Sequence, residues 1–164
     1  MARVAFEVDT KLSPQQVMSP QQVMSMLTDF SPRRPELWPT LARELYCVHK
    51  VTTTSAEVQE GSLWPTLMWE RDHYDWSVAG RVSWTVQESN YSKPGSCVQV
   101  IVQEASVGGS RVEVEWNRTG IGLKGKALIA LVVLTRGAII RRKSSSKRSR
   151  VQCDGPDKHR DDLL

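Results

Sequence analysis

The sequence predicts an α+β fold in which an antiparallel sheet packs against one long C-terminal helix. Residues 127–134 are eight consecutive apolar residues, and Leu128, Leu131, Thr135 and Ala138 are spaced along one face of a helix. Upstream, four segments alternate apolar and polar residues between short turns, which is typical of an antiparallel meander. A helix that is apolar nearly all round must be buried on most sides, so we expect it to lie against the sheet.

The N-terminal part predicts one strand followed by a helix. Residues 3–9 alternate, with valine and phenylalanine on one face and more polar residues on the other. The hexapeptide SPQQVM then occurs twice without a gap, at 13–18 and 19–24. Ser-Pro is a favourable helix start, since serine caps free amides and proline fits the first turn. We expect the stable helix to span 20–29, and the doubling is either a tolerated duplication or a functional feature.

The next region predicts a short helix, a strand and a loop. Three prolines precede a helix predicted around residues 36–41, and a segment rich in valine and threonine predicts one strand, bent or straight, over 45–59. Glu60-Gly61 is interpreted as a turn. The pentapeptide LWPTL at 63–67 repeats residues 37–41, and its proline favours a loop or an edge.

Four strands of the meander are predicted at 68–77, 81–88, 97–105 and 111–117. The last three have clear apolar faces, which we expect to form the core side of the sheet. In the first, neither face is purely apolar, so the sequence leaves open which face looks inward.

The net positive charge of the chain is concentrated at the C-terminus. The chain has 164 residues and a net charge of +4, and residues 1–140 contain 14 basic and 14 acidic residues. We predict a single domain over residues 1–142 and a basic, disordered tail over 143–164. The balanced charge of the body gives no indication of specific nucleic-acid binding, whereas the tail is either a solvated segment or a contact for anionic macromolecules and lipid.

Four segments carry a resemblance to a known superfamily: WERDHYDWS (69–77), GRVSWTVQESN (80–90), GSRVEVEWNRTG (109–120) and LKGKALIALVVLTRG (123–137). Together with the order of elements, they resemble the START-like superfamily (SRPBCC), which includes the birch-pollen allergens and the bacterial polyketide cyclase/dehydrase and lipid transport family. The resemblance implies a helix-grip fold, with a curved antiparallel sheet wrapped around the long C-terminal helix and two short helices after the first strand. It also implies a hydrophobic ligand, such as a lipid, sterol or polyketide, bound in a pocket between sheet and helix.

Aromatic and apolar residues on the predicted inner faces are the candidate ligand-binding residues. Core packing is the alternative role for Trp84 and Trp116. An outward surface position is the alternative for Arg118, which otherwise could meet a ligand carboxylate or hydroxyl at the mouth of the pocket. The candidates are Trp69, Tyr74, Trp76, Trp84, Trp116, Arg118, Leu128 and Leu131.

Catalysis is a second possibility, as a cyclase, aromatase or dehydratase acting on a polyketide-like substrate. Arg71, His73 and Asp75 share one face of a predicted strand, and His73 could act as a general acid or base if that face looked into the pocket. A polar outer face with ion pairs is the alternative. In that case Tyr74, on the opposite face, would line the pocket. The candidate proton-transferring residues of such an enzyme are therefore His73, Asp75, Tyr74 and Arg71.

Other classes of chemistry have no support in the sequence. The chain has no phosphate-binding glycine loop, nucleophile elbow or HExxH motif, so we expect no cofactor. Three scattered cysteines and isolated His49 and His73 do not have the spacing of a metal site. The longest apolar run is too short and too interrupted by charge to span a membrane, and the N-terminus lacks a signal peptide, so we expect a cytoplasmic protein.

Overall fold

An antiparallel sheet of seven strands forms the body of the molecule, of which the computed structural model describes residues 2–9, 18–106 and 108–139. The predicted α+β helix-grip architecture is confirmed. In chain order the elements are β1 (Ala2–Asp9), α1 (Pro20–Leu27), α2 (Arg34–Leu37), a 3-10 turn (Arg43–Leu45), β2 (Cys47–Val51), β3 (Ser55–Ser62), β4 (Met68–Asp75), β5 (Arg81–Ser89), β6 (Cys97–Glu104), β7 (Ser110–Arg118) and α3 (Gly122–Ile139).

The strands lie in the order β1-β7-β6-β5-β4-β3-β2, and every neighbouring pair is antiparallel. The register aligns one row of side chains across the sheet: Tyr74 lies opposite Trp84, Trp84 opposite Val98, and Val98 opposite Trp116. Because side chains alternate along a strand, this row defines one face of the sheet, which we call the interior face. The opposite side is called the outer face.

Helix α1 packs on the interior face across β5, β6 and β7. It begins as the second SPQQVM copy predicts: the hydroxyl of Ser19 accepts from the backbone amide of Gln22, and the Gln22 side chain accepts from the amide of Ser19. Val23, on the helix face toward the sheet, is buried with Val100 and Val102 of β6. The short helix therefore contributes its apolar side to the same core as the central strands.

Helix α3 is less covered than its composition predicts. Over the described side chains of its first turns, Ile129 is buried and Leu128 is half-buried, whereas Leu131 is 44% exposed and Leu123 is 88% exposed. The expectation of burial on most sides is therefore wrong for this part of the helix. The physical reason is that α3 contacts the sheet at its edge strand β1, while α1 lies over the more central strands.

Three local predictions between α1 and β4 are wrong. The strand predicted over 45–59 is two strands, β2 and β3, because Thr52 turns the chain: its hydroxyl accepts from the amides of Thr54 and Ser55.

Glu60 and Gly61 belong to β3 instead of forming a turn, and an added Cβ at Gly61 would lie 2.5 Å from the carbonyl oxygen of Met68. The short helix begins at Arg34 and ends at Leu37, earlier than predicted.

Some predictions concern residues outside the described part of the chain. The first SPQQVM copy falls almost entirely there, and so does the basic tail over 143–164. Among the helices that are described, none has the length and apolar character required to cross a membrane.

Candidate functional site

Aromatic side chains cluster on the interior face near β4 and β5. The rings of Tyr74 and Trp84 stack with centroids 5.4 Å apart, and Phe30 meets Tyr74 edge-on at 4.8 Å. The ring of Trp76 stacks on that of Phe30 with centroids 5.6 Å apart. Phe30 and Tyr74 are buried, whereas Trp76 and Trp84 are half-buried. The interior face therefore presents a continuous aromatic surface that the protein does not cover completely.

The same face remains accessible farther along its central row. Trp116 of β7 is half-buried, as are Val112 and Val114 of the same strand. The guanidinium of Arg118 lies 5.6 Å from the Trp116 ring centroid, in the range of a cation–π contact. A large apolar surface on the inner side of a sheet is thus left partly open, which is a property of ligand-binding surfaces.

Two buried ion pairs flank this aromatic surface. In the first, Nε of Arg34 lies 2.5 Å from Oε1 of Glu60, and the hydroxyl of Tyr74 donates to the other oxygen of Glu60 at 2.9 Å. Nη1 of Arg34 also donates to the carbonyl oxygens of Leu27 and Asp29, both at 3.1 Å. Arg34 therefore fixes the end of α1 to β3.

Burial and the neighbouring charges change the pKa values of Tyr74 and Arg34. Burial raises the pKa of Tyr74 well above its usual value, and the carboxylate of Glu60 raises it further. Burial disfavours the Arg34 cation, but the attraction and hydrogen bonds of Glu60 and Tyr74 together outweigh this effect and raise the pKa of Arg34. Both groups therefore keep their protons throughout the neutral range.

The second ion pair joins β7 to β4. Arg118 donates through both terminal nitrogens to the carboxylate of Glu70, with Nη2 at 2.7 Å from Oε1 and Nη1 contacting Oε2. Nη1 also reaches the hydroxyl of Tyr91 at 3.0 Å and that of Ser92 at 3.3 Å, and Tyr91 donates to Glu70 at 2.8 Å. The outward alternative for Arg118 is therefore wrong, because bidentate pairing satisfies the guanidinium inside the fold.

Asp72 lies on the interior face next to Glu70 and is 1% exposed. The sheet register places it opposite Val58 on one side and Val86 on the other, and both valines are buried. Neither carboxylate oxygen has a hydrogen-bond partner among the described residues. Burial raises the pKa of Asp72 well above its usual value, and repulsion from Glu70 raises it further, against the attraction of Arg118. Burial and the charge of Glu70 therefore favour the protonated form of Asp72 more than they would for an exposed carboxyl group.

The candidate catalytic residues predicted from β4 lie mostly on its outer face. His73 is exposed, Arg71 lies 3.6 Å from Glu57 and 3.9 Å from Glu88, and Asp75 accepts from the amide of Ser77 at 2.8 Å. These three side chains do not face the interior, so they do not meet the condition that an acid or base must look into the pocket. Tyr74, the fourth candidate, lies on the interior face.

Some of the predicted ligand-binding residues lie on the interior face and others do not. Tyr74, Trp84, Trp116 and Arg118 lie on the interior face, and Trp76 packs against Phe30 beside it. Trp69 shares the outward register of Arg71 and is not part of this surface. Of the two helix candidates, Leu128 is half-buried and Leu131 is exposed.

Sequence reasoning missed Glu70, Asp72 and Tyr91. A signal for the two carboxylates was present, because strict alternation from an inward Tyr74 places Asp72 and Glu70 on the same face. It was overlooked because carboxylates are rarely buried without a partner. No group of histidine, cysteine and carboxylate side chains with the arrangement of a metal site occurs among the residues with described positions.

Comparison with known proteins places this geometry in a structural context. Neither a protein-family model nor a curated protein matches the sequence. Solved structures do match. Zhui aromatase/cyclase from Streptomyces sp. R1128 superposes with a TM-score of 0.66 at 8% identity, covering 84% of this chain and 87% of that chain.

Two further structures show the same similarity. A START superfamily protein from Mycobacterium smegmatis has a TM-score of 0.57 at 9% identity, covering 84% of this chain and 95% of its own. The ginseng major latex-like protein 151 from Panax ginseng has a TM-score of 0.54 at 11% identity, covering 84% and 94%. The chain therefore adopts the helix-grip fold that these proteins share, and the resemblance to the START-like superfamily is confirmed at the level of the fold.

Proposed function

We propose that the chain binds, and in a transport role carries, a hydrophobic small molecule such as a lipid or a polyketide between the interior face of the sheet and the C-terminal helix. The observation that carries this proposal is the partial exposure of Trp84 and Trp116, two large aromatic side chains in the central row of that face. Leaving such surface accessible is unfavourable by about 25 cal/mol per Å², so a ligand that covers it gains binding energy. The similarity to START superfamily structures is consistent with this function.

The test uses a neutral fluorescent probe and a matched pair of variants. N-phenyl-1-naphthylamine should bind with increased emission, and Trp84→Leu should weaken its binding because the interior aromatic surface is reduced. Trp69→Leu removes the same side chain from the outer face of β4 and should leave the probe affinity unchanged. Equal weakening by both variants, or no probe binding to the wild type, would contradict the proposal.

Native mass spectrometry of the purified protein provides an independent test. A co-purified apolar molecule should appear as a mass adduct that solvent extraction removes. A protein that carries no adduct and binds no probe would rule out a ligand-binding function.

A second candidate is an enzyme of the cyclase, aromatase or dehydratase type. Asp72 and Tyr74 favour it, because both are proton carriers on the interior face. Proton transfer to or from a bound substrate requires such groups within hydrogen-bonding reach of the reacting atoms. Turnover of a linear poly-β-ketone that is lost in Asp72→Asn and retained in His73→Ala would support this reading. The opposite result would assign the chemistry to the outer face.

A further inference from the structure

Among the residues with described side chains, the interior face carries three carboxylates and two arginines, and each arginine pairs with one carboxylate. Arg34 pairs with Glu60, and Arg118 pairs with Glu70 through two nitrogens. Each pair is neutral as a unit, and both guanidinium groups are already engaged by a carboxylate. An incoming anion would therefore compete with Glu60 or Glu70 for its cation.

Asp72 is the unmatched member of this set. It is buried between Val58 and Val86, and both of its oxygens lack a partner among the described residues. The charged and titratable groups that influence it are Glu70, Arg118 and Glu60, and it in turn acts on Tyr74 and Tyr91. An ionised carboxylate without a partner is very unfavourable in such surroundings, so the protonated form is favoured.

A protonated carboxyl group presents one donor and one acceptor side by side. A ligand hydroxyl can satisfy both, since it accepts through its oxygen and donates through its hydrogen. Nε of Arg118 is also buried without an acceptor among the residues with described contacts, so a ligand oxygen could accept a hydrogen bond from it. A ligand carboxylate, by contrast, would face Glu60, Glu70 and Asp72, and both arginines among the described side chains of this face are already engaged.

We propose that the interior site selects neutral apolar molecules that carry a hydroxyl group, held by the carboxyl group of Asp72, and that it discriminates against carboxylates such as fatty acids. This inference rests on the proposed ligand-binding function and names the ligand class. It assigns Asp72 the role of polar anchor, while the aromatic surface around Trp84 supplies the apolar contact. The two arginines hold the site together and do not bind the ligand's charge.

Four naphthalene compounds test the proposal at pH 7: naphthalene, 2-naphthol, 2-naphthoate and 2-naphthylmethylamine. Isothermal titration or competition with N-phenyl-1-naphthylamine gives their affinities. One additional hydrogen bond should make 2-naphthol bind about five- to tenfold more tightly than naphthalene. Naphthoate should bind at least about tenfold more weakly than naphthol because its charge has no partner.

Three variants identify the residue responsible. Asp72→Leu should bring the naphthol and naphthalene affinities close together, while Asp72→Asn should retain the preference, since an amide keeps one donor and one acceptor side by side. His73→Leu, the neighbouring position on the outer face, should behave as the wild type. Circular dichroism of each variant checks that the fold is intact.

The outcomes separate this proposal from the one on which it rests. If naphthalene binds but naphthoate equals or exceeds naphthol, the site takes carboxylates and the inference is wrong. Tightest binding of the amine would mean that Asp72 is ionised, and an unchanged naphthol preference in Asp72→Leu would mean that another group is the anchor. If none of the four compounds binds, the ligand-binding function itself fails.

Discussion

Folding transfers the carboxyl group of Asp72 out of water, and no side chain or backbone group of the described residues donates a hydrogen bond to it. Its pKa is raised in the folded state, so the folded protein retains a proton that the unfolded chain loses above the ordinary value of 3.8. Because the folded state then binds more protons than the unfolded state, the free energy of unfolding falls as pH rises from that value toward the folded pKa.

We predict that Asp72→Asn becomes progressively more stable than the wild type between pH 4 and pH 7. The amide of asparagine does not titrate, so the free energy of unfolding of this variant does not fall with rising pH as that of the wild type does at Asp72. Urea unfolding at several pH values measures the difference in free energy. Asp75→Asn is the matched control. A hydrogen bond from the amide of Ser77 lowers the pKa of Asp75, so the Asp75 carboxylate stabilises the folded state at neutral pH and this stabilisation is lost on acidification. A constant difference for Asp72→Asn across this range would contradict the assignment.

A second prediction at the residue scale concerns the ion pair between Arg118 and Glu70. Arg118→Met should reduce the free energy of unfolding by about 3–5 kcal/mol, because it leaves Glu70 buried and without its cation. The double variant Arg118→Met, Glu70→Gln should recover a large part of this loss, since the uncompensated charge is removed. Denaturant unfolding of both proteins checks this. Equal destabilisation would show that the packing of Arg118 matters and that its charge does not.

The interior position of Arg118 was predictable from the sequence only in part. It follows Trp116 by two residues, so the alternation that places the tryptophan inward also places the arginine inward. A charged side chain is usually exposed, however, and its partner Glu70 lies 48 residues away in the chain. Pairing at this separation depends on the sheet register, which a single sequence does not reveal.

Among the elements, helix α1 has the clearest local determinant. Ser19→Ala should reduce the free energy of unfolding by about 1 kcal/mol, because it removes the hydroxyl that caps the amide of Gln22. Chemical denaturation provides the measurement. Gln21→Ala, at the neighbouring exposed position, is the control and should change stability by less than about 0.5 kcal/mol. A smaller effect for Ser19→Ala than for its control would mean that the cap does not stabilise the helix.

The elements also differ in how well their sequences predicted them. Strands β4 to β7 were located within one or two residues, because alternation over eight or nine residues is a strong signal. The division between β2 and β3 was missed because threonine favours strands, whereas here Thr52 forms a turn through its own hydroxyl. The exposure of the first part of α3 was not predictable, since it depends on which helix covers the sheet.

For the molecule as a whole, ligand binding should increase thermal stability. A neutral apolar ligand at one hundred times its dissociation constant stabilises the folded state by about 2.7 kcal/mol, which corresponds to a rise in Tm of about 5–10 °C for a chain of this size. Differential scanning calorimetry with 2-naphthol measures the shift. Trp84→Leu should show a smaller rise at the same ligand concentration, and an equal rise would place the ligand elsewhere.

The pairing of β1 with β7 has a consequence for folding during synthesis. Ala2 lies opposite Arg118 and Asp9 opposite Arg111, so an early strand finds its neighbour only after more than a hundred further residues have left the ribosome. Such distant partners make closure slow, because much chain entropy is lost before the contact forms. Until then neither edge of β1 is paired, and the nascent chain would be most exposed to aggregation or chaperone capture at that stage.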